Sequence, residues 1–287
     1  MKRVFLIFFS LFVTLSQNSL AKQPLIAASI NPIYQIVLAI TQEKSNISLI
    51  INPKFSEHDY HLKNSDLRKV KNADLVFYIG DNLEHNVAKL VKNYKKQKQS
   101  YKLIEIDGIK LLPSRSNKNN YDQHIWLDPD NVLKIAEFVT KKISEFDTEN
   151  TEKYKSNLES FKKEVVTRKD EITKILQNLN QANYVFYHDG YQYFENYFSL
   201  KPSMIISSDH DHEITLKSMK ELNLLVKEKN VKCIFGDVQD EKDSARKLAK
   251  KYKIKFFTLD LMGLKDNKSN GYLVLLDNMT ESLESCH

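Results

Sequence analysis

The stretch Thr148–Asn180 contains neither Gly nor Pro, and its apolar residues Tyr154, Leu158, Phe161, Val165, Ile172, Leu176 and Leu179 recur at intervals of mostly three, four or seven. That period predicts one long amphipathic helix. At 1.5 Å per residue, a helix of about 30 residues is roughly 45 Å long, enough to run down two domains. A stiff helical connector differs in kind from a loop hinge and predicts lobes that tilt only slightly against each other. A coiled-coil dimerisation helix would need more heptads than this stretch supplies.

On either side of it, short apolar runs alternate with longer amphipathic ones. The first half predicts strands at Leu25–Ile30, Ile47–Ile51, Leu75–Ile79 and Leu103–Ile106. Its helices are expected at Pro32–Gln42, Asn64–Asn72, Asn82–Gln97 and Pro129–Phe146. The second half predicts strands at Tyr184–Tyr187, Ser203–Ile206, Cys233–Phe235 and Lys255–Leu259. Its helices are expected at Tyr191–Phe198, Glu213–Lys229, Asp240–Tyr252 and Asn270–Glu284. Strands separated by helices imply parallel sheets with helices on their faces. The expected fold is therefore α/β, with two similar lobes, each a four-stranded parallel sheet flanked by helices, joined by one long rigid α-helix. The boundaries read as 22–147 for the first lobe, 148–180 for the linker helix and 181–287 for the second lobe.

Composition excludes other classes. Apolar residues make up 41% and charged residues 28% of 287 residues, too apolar for a disordered chain. The basic residues are scattered, without the aromatic-interleaved cluster that a nucleic-acid groove needs. Lys2 and Arg3 precede the apolar run Val4–Leu15, and Ser19-Leu20-Ala21 ends in small-residue cleavage form. This is the pattern of a signal peptide, residues 1–21, and the apolar run is short for a membrane span. Its removal takes the formal charge from +6 to +4. The mature protein is expected to be soluble and outside the cytoplasm. Cys233 and Cys286 are the only cysteines, so one pairing exists, and an oxidising compartment favours it.

The eight histidines are His58, His61, His85, His124, His188, His210, His212 and His287. In open parallel α/β sheets ligands bind beyond the carboxyl ends of the strands. His58 and His124 lie in loops after predicted strands of the first half. His188 and Asp260 directly follow predicted strands of the second. If the halves face each other, these four groups meet in the cleft between them. Three imidazoles and an oxygen suit a tetrahedral zinc site, and Glu57 beside His58 is a second source of the oxygen. His61, His85 and His287 read as surface residues.

The wording around these positions is specific. Ser56-Glu57-His58-Asp59-Tyr60, followed by Ser65-Asp66-Leu67 and Asn72-Ala73-Asp74-Leu75-Val76, resembles the first lobe of the periplasmic zinc-binding proteins of ABC transporters, the ZnuA-like cluster. His124-Ile125-Trp126-Leu127-Asp128-Pro129 resembles that family's H-x-W-L-[DS]-P segment. Tyr187-His188-Asp189-Gly190-Tyr191-Gln192-Tyr193-Phe194 resembles its F-H-D-A-[YF]-x-Y-F segment, and Thr258-Leu259-Asp260-Leu261-Met262-Gly263 its L-D-P-L-G segment. The four occur in family order and span nearly the whole mature chain. The resemblance implies two lobes linked by a rigid helix, and metal ligation by His58, His124 and His188. Glu57, Asp260 or a water fills the fourth position. Manganese-binding relatives tend to carry a carboxylate where this chain has His188, so a third imidazole favours Zn2+. The two cysteines match a disulfide of the zinc branch.

Two departures from the family and one further cluster stand out. Pro113–Gln123 is short and free of histidine where many zinc members carry a long His- and Asp-rich loop. Asp209-His210-Asp211-His212-Glu213 is a candidate weak second site or, alternatively, the solvated cap of the following helix. Phe235-Gly236-Asp237-Val238-Gln239 departs from the family's Glu-Pro-Gln wording and is assigned no role. The function implied is capture of Zn2+ in the periplasm and delivery to an inner-membrane ABC permease, by a monomer that catalyses no reaction. Two other readings stand beside it. One is a manganese- or iron-binding relative or adhesin of the same fold. The other is a secreted zinc hydrolase, which lacks both an H-E-x-x-H helix and a G-x-S-x-G elbow here.

Overall fold

A computed structural model describes residues 23–286 apart from 43–45, 59, 95–98, 116, 118, 178–183, 203, 208–213, 229–230, 241–242 and 265–270. The signal-peptide region, the Asp209–Glu213 cluster with His210 and His212, and His287 lie outside the described residues.

Two four-stranded sheets form, both wholly parallel. The first contains β1 (Ile26–Ala28), β2 (Ile47–Leu49), β3 (Leu75–Tyr78) and β4 (Ser100–Lys102), in the order β2-β1-β3-β4. The second repeats that order with β5 (Tyr184–His188), β6 (Met204–Ser207), β7 (Cys233–Asp237) and β8 (Lys255–Leu259), as β6-β5-β7-β8. In each sheet the chain leaves the central strand in one direction and returns on its other side. A crevice opens at that switch point, beyond the carboxyl ends of the two central strands.

The helices of the first half are α1 (Asn31–Thr41), α2 (Asn64–Asn72), α3 (His85–Asn93) and α4 (Pro129–Phe146). Asp128 starts α4 by accepting from the amides of Asp130 at 2.9 Å and Asn131 at 3.3 Å, with Pro129 at the first helical position. The Asp-Pro of the H-x-W-L-D-P motif is thus a helix start, and only its histidine reaches the cleft. The connector α5 runs Thr151–Gln177, about 40 Å. Its stripe Tyr154, Leu158, Phe161, Val165, Ile172 and Leu176 is buried against α1, α4 and the last helix, Gly271–Glu284, of the same chain, where a dimerisation seam would be exposed. The second half adds α6 (Gln192–Phe198), α7 (Leu216–Lys227), α8 (Ser244–Tyr252) and α9 (Gly271–Glu284).

Four expected elements move. The fourth strand is Ser100–Lys102, paired with Val76–Tyr78, and Leu103–Glu105 is a 3-10 turn. An edge strand with polar residues escapes a reading based on apolar runs, and the run itself turns inward, burying Leu103. Helix α3 starts at His85 because the Glu84 carboxylate folds back onto the amides of Ile79 and Gly80. Asp240 stays outside α8 and caps it, accepting from the Ser244 amide at 2.8 Å and the Ala245 amide at 3.2 Å. Thr215 likewise caps α7 through the Ser218 amide, so α7 starts at Leu216.

The halves are joined by more than α5. The loop after β8 docks on the first lobe. Asn31 Nδ2 donates to the carbonyls of Met262 and Gly263, both at 2.9 Å, and Trp126 Nε1 donates to that of Leu261 at 3.0 Å. Gly263 sits at φ +64, where a side chain would be strained, and allows that turn. Tyr272 returns a hydrogen bond from α9 to the Trp126 carbonyl at 3.1 Å. The disulfide Cys233–Cys286 ties the first residue of β7 to the end of the chain, with Cα atoms 5.9 Å apart.

Candidate metal centre

His58 comes from the loop after β2 and His124 from the loop after β4, just before a 3-10 turn at Ile125–Leu127. His188 is the last residue of β5. Among the described residues these three form the cluster whose ligand atoms all lie within 4.8 Å of one another. The ring centroids stand 5.4, 5.9 and 5.6 Å apart, with interplanar angles of 66°, 90° and 76°. The rings therefore converge edge-on around a point and do not stack.

Two of the rings have their inner nitrogens engaged. His124 Nδ1 lies 2.7 Å from Asp122 Oδ1, which also accepts the His124 amide at 2.9 Å. His188 Nδ1 lies 2.7 Å from Asp237 Oδ2. A carboxylate only accepts, so each Nδ1 carries the hydrogen and each Nε2 lone pair faces the cleft. Glu57 is buried, and its Oε1 sits 3.4 Å from Nε2 of both His58 and His124. It reaches two of the three imidazoles and is not part of the three-histidine set. Asp260 is also buried but outside that set, and its Oδ1 accepts the Met262 amide at 3.2 Å.

The electrostatics follow from these contacts. Burial opposes the charged form of His124, but the carboxylates of Asp122 and Glu57 outweigh it and push the pKa up to about 10. Burial opposes charging of His188 as well, and the Asp237 carboxylate again raises its pKa. Burial alone would raise Glu57, yet the positive field of His58, His124 and His188 holds it well below the usual carboxylate range. This is a pocket built for cations. Protons and a soft divalent ion compete for the same lone pairs.

Above the histidines lies a cavity of about 210 Å³ that also touches Asp122, Arg115 and Asp189. Arg115 crosses its rim from the first half to the second, bonding Asp189 Oδ1 at 2.8 Å and Glu195 Oε2 at 2.5 Å. Gly190 is the close approach behind His188, with no room for a side chain. A Cβ there would stand 2.8 Å from Leu261 Cδ1 and 3.0 Å from His188 Cε1.

The family model described as "Zinc-uptake complex component A periplasmic" matches residues 26–286. The chain belongs to this family. A relative named "High-affinity zinc uptake system protein ZnuA" from Haemophilus ducreyi is 25% identical, over 91% of this chain and 92% of its own length. Among solved structures, one titled "Crystal structure of ZnuA" superposes with a TM-score of 0.77 at 24% identity, over 90% of this chain and 98% of that one. FpvC from Pseudomonas aeruginosa, titled as a complex with Mn2+, superposes with a TM-score of 0.78 at 16% identity, over 93% and 100%. Both superpositions carry the fold alone. In family terms this is a two-lobed solute-binding protein whose cleft holds three histidines.

Asp122 and Asp237 are the residues that sequence reasoning missed. Asp122 is visible as an Asp-x-His spacing. Asp237 ends β7 at the same edge as His188 and meets the strand-end criterion that pointed to the histidines. His61 and His85 are exposed, away from the cluster.

Proposed function

We infer that this chain captures Zn2+ in the periplasm and passes it to the inner-membrane permease of an ABC-type uptake system. The observation that carries this reading is the convergence of His58, His124 and His188 from two lobes onto one point, within a family of zinc-uptake components. In this reading the three imidazoles supply nitrogen, and Glu57 supplies the fourth, oxygen ligand in preference to Asp260. Glu57 already faces two of the imidazoles, whereas one Asp260 oxygen is turned to the Met262 amide. Four protein groups make a closed site suited to holding cargo, where a hydrolytic zinc keeps one position for water.

Nitrogen-rich sites favour Zn2+ over Mn2+ by the Irving–Williams order, and hard oxygen donors are the minority here. That weighs against the manganese reading. No helix among the described residues is long and apolar enough to cross a membrane. In this reading residues 1–21 are a removable signal peptide and the remainder is a periplasmic monomer. We take 22–147 and 181–287 as the lobes and 148–180 as the linker. The test is chelator competition on the purified mature protein, titrated with Zn2+ and Mn2+ in parallel. Zinc is expected to bind several orders of magnitude more tightly, and equal affinities would remove the zinc assignment.

A further inference from the structure

The parallel register between the central strands of the second sheet pairs Tyr184 with Cys233, Val185 with Ile234 and Phe186 with Phe235. Two residues further, at the switch point, the same register sets Asp237 beside His188. Side chains alternate along a strand, so the two residues point to the same side. The contact that results is short and dry. Asp237 Oδ2 takes the Nδ1 hydrogen of His188 at 2.7 Å, and both side chains are about 6% exposed. The other oxygen of Asp237 accepts from the hydroxyl of Tyr191, which is fully buried. The Tyr191 ring is itself held against Phe186, with centroids 4.7 Å apart.

We propose that Asp237, locked by Tyr191, is the positioning residue of the second lobe. It holds the His188 ring in the tautomer and orientation that present Nε2 to the metal. The inference rests on the reading of His58, His124 and His188 as the zinc ligands. It assigns work to a residue that the sequence motif left without a role, in a stretch that departs from the family's wording. Asp237 does not itself reach the metal. It acts through His188, as carboxylates behind metal-bound histidines do elsewhere, where their loss costs about 10- to 100-fold in affinity.

A residue that merely props up the fold would weaken binding in any background. One that acts through His188 loses its effect once His188 is gone, which a double-mutant cycle separates. Zinc affinity of the mature protein is therefore measured by chelator competition for the parent, Asp237→Ala, His188→Ala and the double variant. The cobalt-loaded proteins are compared by their visible ligand-field bands, and folding is followed by thermal melting without metal. Asp237→Ala is expected to lower zinc affinity about 10- to 100-fold and to shift the cobalt bands. In the His188→Ala background the same change is expected to cost less than about threefold. Equal losses in both backgrounds overturn the proposal.

Should Asp237→Ala not fold, Asp237→Asn and Tyr191→Phe carry the test. Asn keeps an acceptor for Nδ1 and is expected to lose less than Ala. Tyr191→Phe frees the carboxylate and is expected to lose a few-fold. Parent-like affinity and parent-like cobalt bands in both variants overturn the proposal. A His188→Ala protein that binds zinc like the parent instead removes the three-histidine reading, and this inference with it.

Discussion

In the second lobe the switch-point crevice is occupied by the chemistry: His188 ends β5 and Asp237 ends β7. In the first lobe the matching crevice, beyond β1 and β3, is sealed. Glu84 is buried there, its carboxylate on the amides of Ile79 and Gly80 and in contact with the Ser29 hydroxyl. The first-lobe histidines arrive on loops after the outer strands β2 and β4. One lobe therefore positions its ligand by sheet register, which is stiff and non-local. The other does so by local devices, such as the Asp122 side chain that binds both the amide and the ring of His124. Similar sheets thus deliver imidazoles to one point by different physical means.

The largest expected effect tests whether the lobes share the load. Replacing His188 by Ala, or His58 or His124 by Ala, should each weaken zinc binding by on the order of 100- to 1000-fold, more than loss of a supporting carboxylate. Glu57→Ala is expected to be milder, and Asp260→Ala milder still. Titration calorimetry on the five variants checks this. If His188→Ala binds like the parent while Asp260→Ala does not, the second lobe uses a different ligand.

The disulfide belongs to the second lobe alone and pins β7 at the end opposite Asp237. Replacing both cysteines by Ala should lower stability by about 2–4 kcal/mol, given a closed loop spanning a sequence separation of 53 residues. Zinc affinity should stay within about threefold, because register across the whole sheet, and not one end of β7, places His188. Denaturant melts and metal titrations of the same sample separate the two effects. A folded double variant that has lost zinc binding would break the claim.

Glu84 gives the sealed crevice a pH signature. Burial raises its pKa to about 8, with Glu57 adding repulsion, against the amide and hydroxyl donors that lower it. A carboxyl with a raised folded pKa keeps more protons when folded than when unfolded. Its stabilising contribution is complete below about pH 4.5 and fades as pH rises towards 8. Glu84→Gln keeps an acceptor for the two amides without a charge. At pH 8 it should be more stable than the parent by about 2–4 kcal/mol, with little difference at pH 5. A constant difference across that range would show that Glu84 does not titrate on folding.

The last test concerns protons at the site. With the pKa of His124 pushed up to about 10 and that of His188 also raised, zinc must displace protons near neutrality. Affinity should fall by about tenfold per pH unit for each proton released as pH drops from 8 to 6. Calorimetry at pH 7 in buffers of different ionisation enthalpy should count about one proton or more, and fewer in Asp122→Asn. A count of zero in the parent would mean that the carboxylates do not charge these rings.

Much of this was legible in the chain. The helix and strand periods around the Gly- and Pro-free stretch read as two α/β lobes and a connector, and Asn64–Asn72, Pro129–Phe146 and Lys255–Leu259 match their expected bounds. The three histidines were visible as residues following strands, and the cysteines as a pair without competitors. The misplaced fourth strand shows where such reading stops. Ser100–Lys102 is a strand because β3 offers it a ladder, and nothing in its own pattern says so.

What the sequence determines alone is periodic or local: the helices, most of the strands, the Asp128 cap, and the Asp122-x-His124 turn, whose partners lie within a few residues. What only the tertiary structure decides is which distant groups share a point. Asp237 meets His188 across a separation of 49 residues through strand register, and Arg115 meets Glu195 across 80. Glu57 meets His124 across 67 residues because two loops of the first lobe pack together. Periodicity reports which face of an element is apolar, but the pairing of elements is settled by burial and hydrogen bonding summed over the whole core, and that sum exists only once the chain has folded.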